Sequence, residues 1–174
     1  MVSVRIKFCK TGSLKFISHL DLMRTMKYAM LRAKIPVLYS NGYNPRPKMV
    51  FTMPLSIGTE SLCEFLDIII TEPMDFQLIK ERLNVLDVYE PVYKLNEIGY
   101  AEYNINFDNE IDVEKLTNPL IRSYSYENQT LTAILRSDNE KYLNPGNLAK
   151  ELTEGGYDIL KITHYLKDGE TVFI

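Results

Sequence analysis

One histidine lies where it could take part in acid–base chemistry. Ser18 is a suitable helix N-cap, with Asp21 three residues later, so His19 falls in the first turn of a predicted helix. The positive end of the helix dipole disfavours imidazolium and leaves a neutral ring that can accept a proton. Beside nearby cations that hold a phosphate, such a ring could deprotonate a ribose 2′-hydroxyl. The alternative is that His19 only caps or packs the helix, since no second proton-transfer group is evident.

A short loop, Tyr43–Lys48, combines residue types that bind nucleic acids. Tyr43 offers an aromatic face on which a base can stack, which contributes ~1–3 kcal/mol per base. Arg46 and Lys48 carry the charge that attracts phosphates. Pro45 and Pro47 fix the backbone on either side of Arg46, and a preorganised loop loses less entropy on binding. The same prolines would also suit a loop that covers a sheet edge.

The residues for cofactor or metal chemistry are scarce in this sequence. The two cysteines, Cys9 and Cys63, are too far apart for a CxxC pair or an iron–sulfur cluster motif. With His19 and His164 as the two histidines, a zinc site built from several histidines is not expected. We therefore predict no metal, no cofactor and, on balance, no catalytic activity.

The net charge of −3 hides a strong asymmetry along the chain. Residues 1–50 hold ten Lys or Arg and one acid, so that 10 − 1 = +9, whereas the rest holds ten basic and 22 acidic residues, or −12. Such an asymmetry is typical of a protein with one side facing a polyanion. The alternatives are that the two halves attract each other or that the charges solvate two faces.

The basic residues lie on a predicted strand and a predicted helix. Alternation over residues 2–8 predicts a half-buried strand with Arg5 and Lys7 facing solvent. A helix is predicted over about 19–34, ending before Pro36. Its methionine stripe is interpreted as core packing. The residues predicted on its opposite side are Arg24, Lys27, Tyr28, Arg32 and Lys34.

The remaining pattern predicts an α+β fold made of two similar halves. In the first half, the strand and helix above are followed by strands at 49–53, 62–71 and 88–98 and a helix over 76–86, which gives the β-α-β-β-α-β order of a ferredoxin-like domain, with a further short strand at 37–40. The second half follows with strands at 102–107, 121–126, 131–137, 159–166 and 171–174, a short helix at 112–116 and a helix over 144–154. We predict two ferredoxin-like halves in tandem, each with an antiparallel sheet: a basic half, 1–98, and an acidic, tyrosine-rich half, 99–174.

Four stretches resemble a known bacterial family. They read VRIKF with KTG at 4–12, FISHLDLMR at 16–24, YSNGYNPRP at 39–47, and MPLSIGTES at 53–61 followed by FLD at 65–67. This pattern resembles the family of unknown function called radical-SAM-linked proteins. The resemblance implies a protein encoded beside, or fused to, a radical S-adenosylmethionine (radical SAM) protein. The cysteines of that partner would hold the iron–sulfur cluster. It assigns no catalytic residues.

The function predicted from these features is a non-catalytic accessory role in a radical SAM system, with RNA or a ribonucleoprotein bound on a basic N-terminal surface. The predicted contact residues are Arg5, Lys7, Arg24, Lys27, Tyr43, Arg46 and Lys48. One alternative is a metal-independent endoribonuclease that uses His19 as its base. Another is a protein–protein adaptor that docks on the radical SAM partner. With no signal-peptide pattern and no apolar run near ~20 residues, the expected location is the cytoplasm, away from the membrane.

Overall fold

The chain is a mixed α+β protein, as the sequence predicts. The computed structural model describes residues 1–172, and within them three α-helices accompany eight strands that pair mostly antiparallel. The chain divides into two units. Unit 1 comprises Met1–Cys9, Ile17–Pro54 and Glu64–Leu95; unit 2 comprises Lys10–Phe16, Leu55–Cys63 and the described residues from Asn96 onward. The main break, after Leu95, lies close to the predicted boundary at 98/99, whereas the two short segments in unit 2 were not anticipated.

Unit 1 holds four strands of the eight-stranded sheet and two helices. Its elements are β1 (Val2–Lys10), α1 (His19–Arg32), β2 (Met49–Phe51), β3 (Glu60–Ile70), α2 (Phe76–Leu83) and β4 (Asp87–Tyr89), with the first residues of β3 and the last of β1 belonging to unit 2. The strand order is β4-β1-β3-β2, and β4 and β2 run antiparallel to their neighbours. The predicted strand at 37–40 is reduced to isolated bridges at Val37 and Tyr39.

Helix α1 forms where local signals predict it. The Ser18 side chain accepts the backbone N–H of Asp21 at 3.1 Å, which caps the helix as expected. The predicted end before Pro36 is confirmed, because α1 stops at Arg32. Its inner side packs on the core of unit 1, where Met30 is 2% exposed and joins buried β1 residues such as Ile6. Met26 also packs against this core, so the predicted packing role is confirmed for Met26 and Met30.

Unit 2 holds the other four strands and one helix. Its elements are β5 (Ile98–Phe107), β6 (Ile121–Glu127), β7 (Thr130–Arg136), α3 (Pro145–Leu152) and β8 (Tyr157–Leu166). The order is β8-β5-β7-β6, antiparallel throughout, and Glu60 and Ser61 of β3 pair parallel with β8. The predicted β6–β7 hairpin is confirmed, with positive φ at Asn128 (49°) and Gln129 (60°) as in a type I′ turn.

Three further expectations differ from the structure. The strand predicted over 88–98 is wrong: β4 ends at Tyr89, a 3₁₀ turn covers Leu95–Glu97, and β5 begins at Ile98. Pro91, which lacks an N–H for a ladder, falls in the segment between β4 and this turn. The short helix at 112–116 is a single 3₁₀ turn, Val113–Lys115. Of the strand predicted at 171–174, Thr171 forms an isolated bridge, and residues 173–174 lie outside the described part.

No α-helix within residues 1–172 is long and apolar enough to cross a lipid bilayer.

Candidate nucleic-acid interface

Arg5 lies inside the protein, not on the predicted surface. Its side chain is 0% exposed, and Nε and Nη2 donate to the two carboxylate oxygens of Asp67 at 2.7 and 2.8 Å. Nη2 also donates to the Tyr93 carbonyl, and the guanidinium carbon lies 4.3 Å from the centre of the Tyr93 ring. Burial alone lowers the pKa of Arg5, but the hydrogen bonds and charge of Asp67 raise it above the ordinary value. The expected outward placement of Arg5 is therefore wrong, and Arg5 is unavailable to a phosphate.

The outer side of α1 is basic and apolar together. Arg24 is exposed and makes a surface ion pair with Asp21 at 3.3 Å, a contact that is worth little in water. Lys27 is half-buried, with its ammonium 5.8 Å from the centre of the Tyr28 ring. Three large side chains on this side are also at least half exposed: Leu20 (63%), Tyr28 (58%) and Leu31 (50%). The helix thus presents cations among apolar groups.

The loop over residues 41–48 projects its aromatic residue into solvent. Tyr43 is 99% exposed. The loop is closed below it by hydrogen bonds from Ser40 N to Arg46 O (2.8 Å) and from Arg46 N to the Ser40 hydroxyl (3.0 Å). Lys48 N donates to the Leu38 carbonyl at 2.8 Å. These bonds fix the base of the loop and leave the side chains of Arg46 and Lys48 exposed.

Many cations of unit 1 have no carboxylate partner. Within the described residues, seven Lys or Arg side chains of this unit form no ion pair: Lys7, Lys27, Arg32, Lys34, Arg46, Lys48 and Arg82. Counted by unit, unit 1 holds eleven basic and eight acidic residues (+3), and unit 2 holds nine and fifteen (−6). The charge difference between the two units is smaller than the difference between residues 1–50 and the rest of the chain. The reason is that the acids of α2 and its flanks belong to unit 1.

A family model described as "uncharacterized protein conserved in bacteria (DUF2344)" matches residues 3–108, more than half of the chain. The chain belongs to this family. The matched range of this DUF2344 protein contains Arg5, Asp67 and the loop over 41–48. No functionally curated protein matches the chain.

The two histidines of the DUF2344 protein lie in packed positions. The His19 ring is half-buried and meets the Phe51 ring edge-on, with centroids 5.4 Å apart. His164 is 0% exposed, and its Nε2 lies 3.1 Å from the Cys63 carbonyl oxygen. Among residues 1–172, no group of three or more His, Cys, Asp or Glu side chains is arranged to hold a metal ion.

Sequence reasoning missed a basic cleft in unit 1. An open cleft of about 570 Å³ is lined by Ala29, Arg32, Ala33, Lys34, Arg82 and Leu83. Arg32 and Lys34 were predicted on the outer side of α1 but not among the contact residues, and Arg82 is about 50 positions later in the chain. No local pattern brings Arg82 to the end of α1, so only the fold could reveal this cluster.

Proposed function

We propose that this protein is a non-catalytic accessory factor of a radical SAM system that binds RNA, free or in a ribonucleoprotein, through unit 1. The observation that carries the proposal is the set of seven cations in unit 1 that form no ion pair with a carboxylate of residues 1–172. Lys and Arg side chains that neutralise RNA phosphates release the cations condensed on the RNA, which drives binding and makes it salt-dependent. We place this role in the cytoplasm.

The loop over 41–48 is the strongest part of the proposed contact. The Tyr39–Pro47 bridge shows that its returning strand is extended, so Arg46 and Lys48, two residues apart, point to the same side. Tyr43 extends beyond them and is free to stack on a base. Two cations and one aromatic ring on a closed loop suit a single-stranded RNA.

The proposed radical SAM partner is supported by the resemblance of residues 4–67 to radical-SAM-linked proteins. One observation also favours the adaptor role: Leu20, Tyr28 and Leu31 expose apolar surface beside the cations of α1. Such a mixed face suits a protein partner with acidic and apolar groups. Co-purification with the radical SAM protein after nuclease treatment would support direct docking, whereas loss of the complex on nuclease treatment would support an RNA bridge.

Both units are proposed to be ferredoxin-like, in tandem. In unit 1 the order β4-β1-β3-β2 places the fourth, first, third and second strands side by side, and β8-β5-β7-β6 repeats this order in unit 2. The order of elements in unit 1 is β-α-β-β-α-β. In unit 2 the turn at Val113–Lys115 takes the place of the first helix.

The test is RNA binding by the purified protein over a salt series, with wild type and the double variant Arg46→Ala/Lys48→Ala. We expect the double variant to bind more weakly and its log K to depend less on log salt, by about 1.4 if two contacts of ~0.7 each are lost. The charge-matched control is Lys115→Ala/Lys150→Ala, two exposed lysines of unit 2. The proposed surface would be overturned if the RNA affinity of the wild type did not change with salt, or if the control variant lost as much affinity as Arg46→Ala/Lys48→Ala.

A further inference from the structure

The end of α1 holds a lysine in a conformation that favours glycine. Lys34 has φ = 53°, in the left-handed region. Lys34 N donates to the Leu31 carbonyl and Ile35 N to the Met30 carbonyl, both at 3.1 Å, which is the Schellman motif that commonly ends helices with glycine. Fold stability alone would favour glycine or asparagine here. A lysine in this strained conformation suggests a role other than fold stability.

Lys34 shares its cleft with two arginines, and no acid of the described chain lines it. Arg32, Lys34 and Arg82 line it together with small or apolar groups, and none of the three forms an ion pair within the described residues. Arg82 is fixed in place, because its Nη1 donates to the Ala33 carbonyl at 2.8 Å. A guanidinium has five N–H donors, so this single bond leaves donors for a ligand. Ala29 and Ala33 also line the cleft, and their small side chains leave room beside the cations.

We propose that this cleft binds a phosphate group, with Lys34 as the cation that gives it affinity. Resting on the proposed function, the inference names a second contact for the same RNA, separate in sequence from the loop over 41–48. A simpler role exists for these cations, since Lys and Arg at the last turn of a helix stabilise its dipole. The two roles differ in what they predict for Lys34→Gly. Dipole stabilisation predicts a less stable protein, whereas a phosphate site predicts weaker phosphate binding without loss of stability.

The first arm of the test measures melting temperature with pyrophosphate against sodium chloride at equal ionic strength. We expect pyrophosphate to raise the Tm of wild type and of Lys34→Arg but not of Lys34→Gly, whose Tm without ligand is equal to or above that of wild type. Equal pyrophosphate shifts in wild type and Lys34→Gly, no shift in wild type, or a Tm several degrees lower for ligand-free Lys34→Gly would each overturn the cleft assignment.

The second arm measures anisotropy of a labelled single-stranded RNA and identifies the source of the phosphate. We expect Lys34→Gly to weaken RNA binding about 3- to 10-fold and Lys34→Arg to restore it. Loss of binding in Arg46→Ala/Lys48→Ala but not in Lys34→Gly would reject the cleft as an RNA contact and leave the proposed function standing. A pyrophosphate response without any RNA binding would reject the proposed function and retain the cleft as a site for small phosphates.

Discussion

Arg5 and Asp67 form a two-bond ion pair in the interior of unit 1, 62 residues apart in the sequence. The guanidinium donates to both carboxylate oxygens, at 2.7 and 2.8 Å, while the Tyr93 ring covers it and the Tyr93 carbonyl accepts a further bond. Asp67 is 18% exposed at its side chain, and Arg5 is 0% exposed. The pair joins β1 to β3 through charges that have been taken out of water.

Removing one member of this pair should destabilise the protein strongly. Arg5→Met leaves the Asp67 carboxylate partly buried without its cation, and we expect a loss of about 3 kcal/mol in the free energy of unfolding. The double variant Arg5→Met/Asp67→Leu removes both charges and should recover most of that loss. Urea unfolding of the wild type and the three variants, including Asp67→Leu alone, measures the coupling. If the double variant lost as much free energy of unfolding as the two single variants together, a direct interaction between Arg5 and Asp67 would be contradicted.

The same double variant separates structure from binding. Because Arg5 is buried, folded Arg5→Met/Asp67→Leu should bind RNA with the affinity of the wild type. If log K depended less on log salt in this variant than in the wild type, Arg5 would be one of the phosphate contacts.

Local signals predicted α1 well and Arg5 poorly, for physical reasons. The Ser18 cap, the methionine spacing and Pro36 all lie within or beside the helix, so its bounds follow from neighbouring residues. For Arg5, alternation along β1 predicts a solvent-facing side chain, and a sheet with one open face would place it so. The segment with Tyr93 covers that face instead, and nothing near position 5 in the sequence indicates it.

The loop over 41–48 was predictable because its prolines and Gly42 act locally, whereas the cleft depends on Arg82 reaching α1.

Tyr43 should matter for binding and not for stability. Its ring is 99% exposed, so Tyr43→Ala is expected to change the free energy of unfolding by less than about 0.5 kcal/mol. If the ring stacks on a base, Tyr43→Ala should weaken the free energy of binding to single-stranded RNA by about 1–3 kcal/mol. Tyr43→Phe should bind with the affinity of the wild type. Tyr124→Ala, in which a tyrosine of unit 2 that is 47% exposed is removed, is the matched control. Equal RNA affinity of Tyr43→Ala and wild type would exclude stacking.

Asp138 should make stability depend on acid pH. Burial alone raises the pKa of Asp138, but the backbone N–H groups of Lys141 and Glu140, at 2.7 and 2.9 Å, and the charge of Arg136 lower it below the ordinary value. The folded state therefore favours the carboxylate. Its stabilising contribution is complete above the unfolded pKa of about 3.9 and is lost as the pH falls through the lower folded pKa.

The measurement is urea unfolding between pH 7 and pH 3 for wild type and Asp138→Asn. We expect the variant to be about 1–3 kcal/mol less stable at pH 7, because its amide oxygen can still accept from the backbone N–H groups but the charge that pairs with Arg136 is lost. The difference should shrink towards pH 3. Glu154→Gln, at an exposed acid without such contacts, is the control. A difference that stays constant down to pH 3 would show that the carboxylate charge contributes nothing.

His19 should act in packing and not in catalysis. Its ring meets Phe51 edge-on at 5.4 Å, and an aromatic contact of this kind contributes about 0.5–1.5 kcal/mol beyond the area it buries. We expect His19→Ala to lower the free energy of unfolding by at least that amount and His19→Phe to retain more of it. In EDTA, wild type and both variants should leave a labelled RNA intact on a denaturing gel. Cleavage by wild type that disappears in folded His19→Phe would instead establish the metal-independent endoribonuclease with His19 as its base.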